Sequence, residues 1–216
     1  MKLLLTSAGI TNKSIAKAVL DLVGLPASKI NLVFIPTAAN VEENDKGWLI
    51  DDLVHFQQQG YNSIDIVDIA AVSRDIWQPR IEKGNLICFG GGNEQYLARI
   101  LKESGLGDLL PDLLKTRVYM GISAGSMVAG QFLSKELLKV VYPEDDFEGK
   151  LESALGFVDC SFILHLNSPH FPNARKEILQ SLQNLTSPLY ALDDQSALKV
   201  IDNKIEAVTE GEYLKI

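Results

Sequence analysis

The sequence predicts an α/β protein: a three-layer, doubly wound and mostly parallel β-sheet with helices on both faces. Two observations carry this. Short runs rich in apolar and β-branched residues alternate with stretches whose apolar residues recur at the helical period. Several of the short runs are also almost continuously apolar, as parallel strands covered on both faces are.

Taken in order, residues 2–7, 30–36, 63–68, 85–89 and 117–122 read as buried strands. Residues 12–23 read as an amphipathic helix, with Ile15, Ala18, Val19 and Leu22 on one face. Residues 47–59 and 95–104 follow the same period. Beyond about residue 130 the alternation loosens. Residues 140–150 are acidic and read as a loop, 157–166 as a strand and 173–185 as a helix. Residues 189–216 read as short strands with turns at Asp202-Asn203 and Glu210-Gly211.

The 216 residues suit one domain spanning the whole chain. The net charge of −8 disfavours nucleic acid and anionic membranes as partners. No apolar run approaches the roughly 18 residues of a membrane span, and the apolar opening Leu3-Leu4-Leu5 is too short for a signal peptide. Cys88 and Cys160 lie in apolar segments, where a free thiol acts as a small hydrophobe, so a reducing, cytoplasmic setting is expected. There is no His-Glu-x-x-His and no Cys-x-x-Cys, hence no expected metal or cofactor.

Gly121-Ile122-Ser123-Ala124-Gly125 fits the Gly-x-Ser-x-Gly nucleophile elbow between an expected strand and a helix start. Such a corner strains the serine, and side chains two residues before or after would collide with neighbouring backbone. A nucleophilic serine needs a base, and the chain has three histidines. His55 lies in a helical stretch. His165 sits inside the apolar run 162–166 and reads as a core histidine. His170, in Asn167-Ser168-Pro169-His170-Phe171-Pro172, follows a strand end in backbone stiffened by prolines, so it is the expected base. The pair Asp193-Asp194, after the run 189–192, offers an orienting acid, with an ordinary acidic turn as the alternative. A Ser…Asp…His order would instead use Asp145, Asp146 or Asp159. Phe89-Gly90-Gly91-Gly92-Asn93 follows a strand and opens a helix. It matches no phosphate-binding pattern, so the amides of Gly92 and Ala124 are the expected oxyanion donors, a tight structural turn being the alternative.

Gly90-Gly91-Gly92-Asn93, then Gly121-Ile122-Ser123-Ala124-Gly125, then Pro169-His170-Phe171, in that order, resemble the dipeptidase E and cyanophycinase family of serine peptidases. The resemblance covers most of the chain and implies a class I glutamine amidotransferase-like (flavodoxin-like) fold. It also implies Ser123 as nucleophile, His170 as base, Gly92 and Ala124 as oxyanion donors and Asp194 as third member. An acid soon after the nucleophile has also been proposed in that family; Glu136 is nearest here. Aspartyl dipeptidase members carry a basic residue suited to an acidic substrate. Arg175 is the counterpart candidate, with a solvated helix charge as the alternative reading, and Asn93 is a second substrate-binding candidate. The expected activity is hydrolysis of a peptide or isopeptide bond in a small peptide substrate. An esterase with the same triad and a non-catalytic binding module are the alternatives, and a homodimer is left open.

Overall fold

In a computed structural model, residues 1–43, 45–143, 152–182, 185 and 187–216 are described. The chain runs β1 (Lys2–Thr6), α1 (Lys13–Val23), β2 (Asn31–Ile35), α2 (Gly47–Gln58), β3 (Ser63–Ile66), α3 (Arg74–Ile81), β4 (Leu86–Phe89), α4 (Glu94–Glu103), α5 (Leu106–Leu113), β5 (Val118–Ile122), α6 (Ala124–Met127), α7 (Lys135–Val141), β6 (Ser161–Ile163), α8 (Lys176–Gln180), β7 (Leu189–Leu192), β8 (Ser196–Ile201), β9 (Lys204–Thr209) and β10 (Tyr213–Lys215).

Seven strands form the main sheet in the order β3-β2-β4-β5-β1-β8-β9. The first five are parallel, and β8 and β9 add antiparallel. Alternation along each strand assigns its side chains to two cores. Leu4, Leu32, Phe34, Leu86, Cys88, Val118 and Met120 face α1 and α2. Leu3, Leu5, Val33, Ile35, Ile87, Phe89 and Tyr119 face the side that holds α3, α4 and α5. This is the three-layer, doubly wound α/β arrangement expected from the sequence. Helix α1 shows why the local sequence complies: Asn12 caps it by accepting from the Ile15 N–H, Gly24 ends it at φ +73°, and Ile15, Ala18, Val19 and Leu22 are its buried face.

Three differences matter. Helices α3 and α5 were not legible as periodic segments, and each carries an internal proline, Pro79 and Pro111. The expected strand 157–166 is only three residues long, Ser161–Ile163. It belongs to a second sheet, β10-β7-β6, in which β6 and β7 run parallel. Val140 and Val141 belong to α7 rather than to a loop, whereas Asp145 and Asp146 lie outside the described residues. Cys88 and Cys160 are buried and unpaired. No helix among the described residues is long and apolar enough to cross a membrane.

One buried polar side chain is anomalous. Asp52, on α2, is 7% exposed. Among the described residues no hydrogen bond or ion pair reaches its carboxylate. Burial, with the charge of Asp51 adding to it, pushes its pKa up to about 7. A carboxyl raised in the folded state destabilises the fold as pH climbs from its unfolded value of about 4 through about 7. Asp52→Asn is therefore expected to stabilise the protein more at high pH than at low, by up to about 4 kcal/mol. Urea titrations of both proteins at about pH 5 and pH 8 check this; a gain independent of pH contradicts it.

Candidate active site

Strand β5 ends at Ile122, and Ser123 turns the chain into α6 at φ +48° and ψ −114°, a conformation that non-glycine residues rarely adopt. The flanking glycines are required by space. A Cβ at position 121 would lie 2.5 Å from the Gly125 carbonyl oxygen, and one at 125 would lie 2.1 Å from that of Phe89. The corner is anchored on β1: the Ser123 N–H approaches the carbonyls of Thr6 at 3.2 Å and Ser7 at 3.1 Å, and Ser126 Oγ donates to Thr6 at 2.8 Å.

The hydroxyl of Ser123 faces His165. Its Oγ lies 2.9 Å from His165 Nε2, and His165 Nδ1 lies 2.7 Å from Asp194 Oδ1. His165 and Asp194 follow the ends of the paired parallel strands β6 and β7, so one end of the small sheet delivers both to a serine carried by the large one. His165 adopts φ +60° and stacks its ring on Phe171, centroids 4.7 Å apart. Burial disfavours the charged form of Asp194. The hydrogen bonds from His165 and Ser7, with the charges of His165 and His170, outweigh that and hold its carboxyl below the usual range.

This corrects the expected base. His170 lines the same cavity, but it is exposed, and its backbone N–H is 3.4 Å from Ser168 Oγ. The imidazole against Ser123 belongs to His165. The reason is the early end of β6 at Ile163: His165 lies in the loop beyond the strand, and its left-handed backbone turns the ring out of the core. The adjacent acids also separate. Asp193 accepts from Gln195 N–H, Ser196 Oγ and Glu212 N–H, which makes it the turn residue, while Asp194 reaches the imidazole. Asp159 accepts from Gln131, and Glu136 lies in the first turn of α7.

Two substrate-binding candidates are otherwise engaged. The Arg175 guanidinium donates to the carbonyls of Phe171, Ala174 and Ser168, and the residue does not line the cavity. Asn93 does line it, but its Oδ1 caps α4 by accepting from the Tyr96 N–H. Gly92 holds φ +125°, and a Cβ there would lie 2.3 Å from the Ala38 carbonyl oxygen, so glycine is required. The loop runs beside Ser123: a Cβ on Gly91 would be 3.4 Å from Ser123 Cβ. Among the described residues neither the Gly92 nor the Ala124 amide donates to a protein acceptor. The cavity over this corner measures about 880 Å³. No group of three or more His, Cys, Asp or Glu side chains among the described residues is arranged to hold a metal ion.

Sequence reasoning missed Ser7. This buried residue accepts from the His165 N–H at 2.8 Å and donates to Asp194 Oδ1 at 2.9 Å, tying both to the end of β1. Its signal was a pair of hydroxyl residues, Thr6-Ser7, closing an otherwise apolar strand.

The chain is 29% identical to an uncharacterized peptidase of Pasteurella multocida (strain Pm70) over 183 residues, covering 84% of this chain and 86% of that one. It is 23% identical to an uncharacterized peptidase of Listeria innocua over 182 residues, covering 81% and 82%. The fold is similar to that of a crystal structure from Listeria monocytogenes EGD-e described as a candidate peptidase E protein. There the TM-score is 0.78 at 22% identity, over 97% of this chain and 98% of that one. A peptidase from an acI-B1 Actinobacterium matches with a TM-score of 0.66 at 20% identity, over 100% and 96%. With residues 3–208 matched by the family model for Peptidase family S51, the chain belongs to that peptidase family.

Proposed function

We propose that the protein is a serine peptidase that hydrolyses a peptide or isopeptide bond in a small peptide through Ser123, His165 and Asp194. The observation that carries this reading is the continuous chain of contacts from Ser123 Oγ through both ring nitrogens of His165 to Asp194. Membership of a peptidase family supports the reaction class.

In the proposed cycle, Ser123 Oγ attacks the scissile carbonyl while His165 Nε2 takes its proton. Asp194 accepts from the Nδ1–H, which fixes the tautomer and stabilises the imidazolium. The amides of Gly92 and Ala124 receive the developing oxyanion; losing one such donor typically costs about 100–1,000-fold. His165 then protonates the leaving amine, and water, activated by the same imidazole, releases the acyl group. The strained backbone of Ser123 keeps the hydroxyl at the tip of the corner. Two buried free thiols are consistent with a cytoplasmic setting.

Ser123→Ala is expected to abolish peptide cleavage and labelling by a fluorophosphonate with the melting temperature retained; cleavage that survives rejects the scheme. His165→Ala should lower kcat by at least about a thousandfold, whereas His170→Ala, which leaves the relay intact, should stay within about tenfold of wild type. The opposite ranking in steady-state assays returns the base to His170. Because the folded state depresses the pKa of Asp194, its ionised form stabilises the fold above the usual carboxylate range, and that contribution fades as pH falls through the depressed value. Asp194→Asn should thus be destabilised relative to wild type at pH 7, with the gap closing towards about pH 3 in urea titrations.

A further inference from the structure

Helix α2 presents Trp48, Asp51, Asp52 and His55 to the cavity, a spacing that puts all four on one helical face. The proposed catalytic cycle uses none of them. Apart from Asp194, the carboxylates lining the cavity are Glu42, Asp45, Asp51, Asp52 and Glu94. Among the described residues no lysine or arginine lines it, and the basic groups are the imidazoles of His55, His165 and His170.

Asp45 accepts from the Gly47 N–H, and Asp51 is exposed. Asp52 differs from both, being buried and, among the described residues, without a hydrogen-bond or ion-pair partner, His55 one turn further along included. Its location is set by contacts at Gly9, where a Cβ would meet Asp52 Oδ1 at 2.7 Å and Ile122 Cδ1 at 3.3 Å. Gly9 thus has both the Asp52 carboxylate and the side chain of Ile122, the residue before Ser123, beside it. The Trp48 ring lies on the other approach: a Cβ on Gly91 would be 3.5 Å from Trp48 Cζ3 and 3.4 Å from Ser123 Cβ. An unpaired buried carboxylate, further acids and an aromatic face around one cavity suit a cation, which would supply the missing ion pair and sit against the indole. An acidic substrate finds no matching guanidinium, since Arg175 is committed to loop carbonyls.

We propose that Asp52 is a specificity-determining residue that receives a cationic nitrogen of the substrate, a basic side chain or a free amino terminus, so that this peptidase selects cationic peptides over acidic ones. The inference rests on the serine-peptidase reading of the same cavity.

The test uses lysyl-alanine, norleucyl-alanine and aspartyl-alanine, each with a free and an acetylated amino terminus. Removing the recognised nitrogen should lower kcat/KM about tenfold, mainly through KM. Loss on changing lysine to norleucine identifies the side chain, and loss on acetylation identifies the terminus. Asp52→Asn should erase that difference. A preference for the aspartyl peptide, equal rates for all six, or a uniform loss in Asp52→Asn overturns the proposal while leaving a peptidase that a fluorophosphonate still labels. No cleavage of any peptide, with Ser123 unlabelled, rejects the peptidase reading instead. Cation selection is then read from the melting temperature, which lysinamide should raise and acetyl-norleucinamide should not, in wild type but not in Asp52→Asn; no such shift overturns this inference too.

Discussion

The arrangement of the site depends on one hydrogen bond, from His165 Nδ1 to Asp194 Oδ1. It joins the ends of two adjacent parallel strands, β6 and β7, and fixes the direction in which the imidazole can look. Ser7 reinforces it from the main sheet by accepting from the His165 backbone and donating to the same carboxylate oxygen. Three segments far apart in sequence thus converge on one oxygen atom. The carboxylate is only partly buried, yet donors surround it closely enough to outweigh desolvation and keep it ionised.

The second constraint is steric. Phe89, at the end of β4, sets how near α6 may come, and Gly125 is the residue that meets its carbonyl. The Gly90-Gly91-Gly92 loop that follows β4 runs beside Ser123, where a Cβ on Gly91 would lie 3.4 Å from Ser123 Cβ. Strain at Ser123 is maintained by Thr6 and Ser7 below it and by the Tyr119 hydroxyl, which donates to the Gly125 carbonyl at 2.5 Å. The position follows the general rule that ligands of open parallel sheets gather beyond the carboxyl ends of the strands.

Electrostatically the cavity is divided. On one side hydrogen bonds from His165 and Ser7 surround Asp194 and hold its carboxyl below the usual range. On the other, Asp52 shares its wall with further acids, and its burial keeps it from ionising as readily as an exposed carboxyl would. Carboxyls with opposed environments in one cavity can take different roles, a carboxylate that orients an imidazole and one that waits for a counter-ion.

The sequence by itself determined the parallel strands, the helices that cover them and the serine corner, because each is written in local chemistry: apolar runs, a 3.6-residue period, and glycines where no Cβ fits. Only the family resemblance singled out Asp194, since its neighbour Asp193 looked the same in the chain. Helices α3 and α5 were obscured by Pro79 and Pro111, and the second sheet was hidden because β6 is three residues long and pairs with β7, further along the chain. Tertiary structure alone placed His165 rather than His170 against Ser123. The apolar run 162–166 made His165 read as a core histidine, and the outcome turned on where β6 stops and on a left-handed residue at position 165. Tertiary structure also decided that Arg175 braces a loop and that Asp52 is buried without a partner among the described residues. These are facts about which groups meet across the folded chain, which no local pattern encodes.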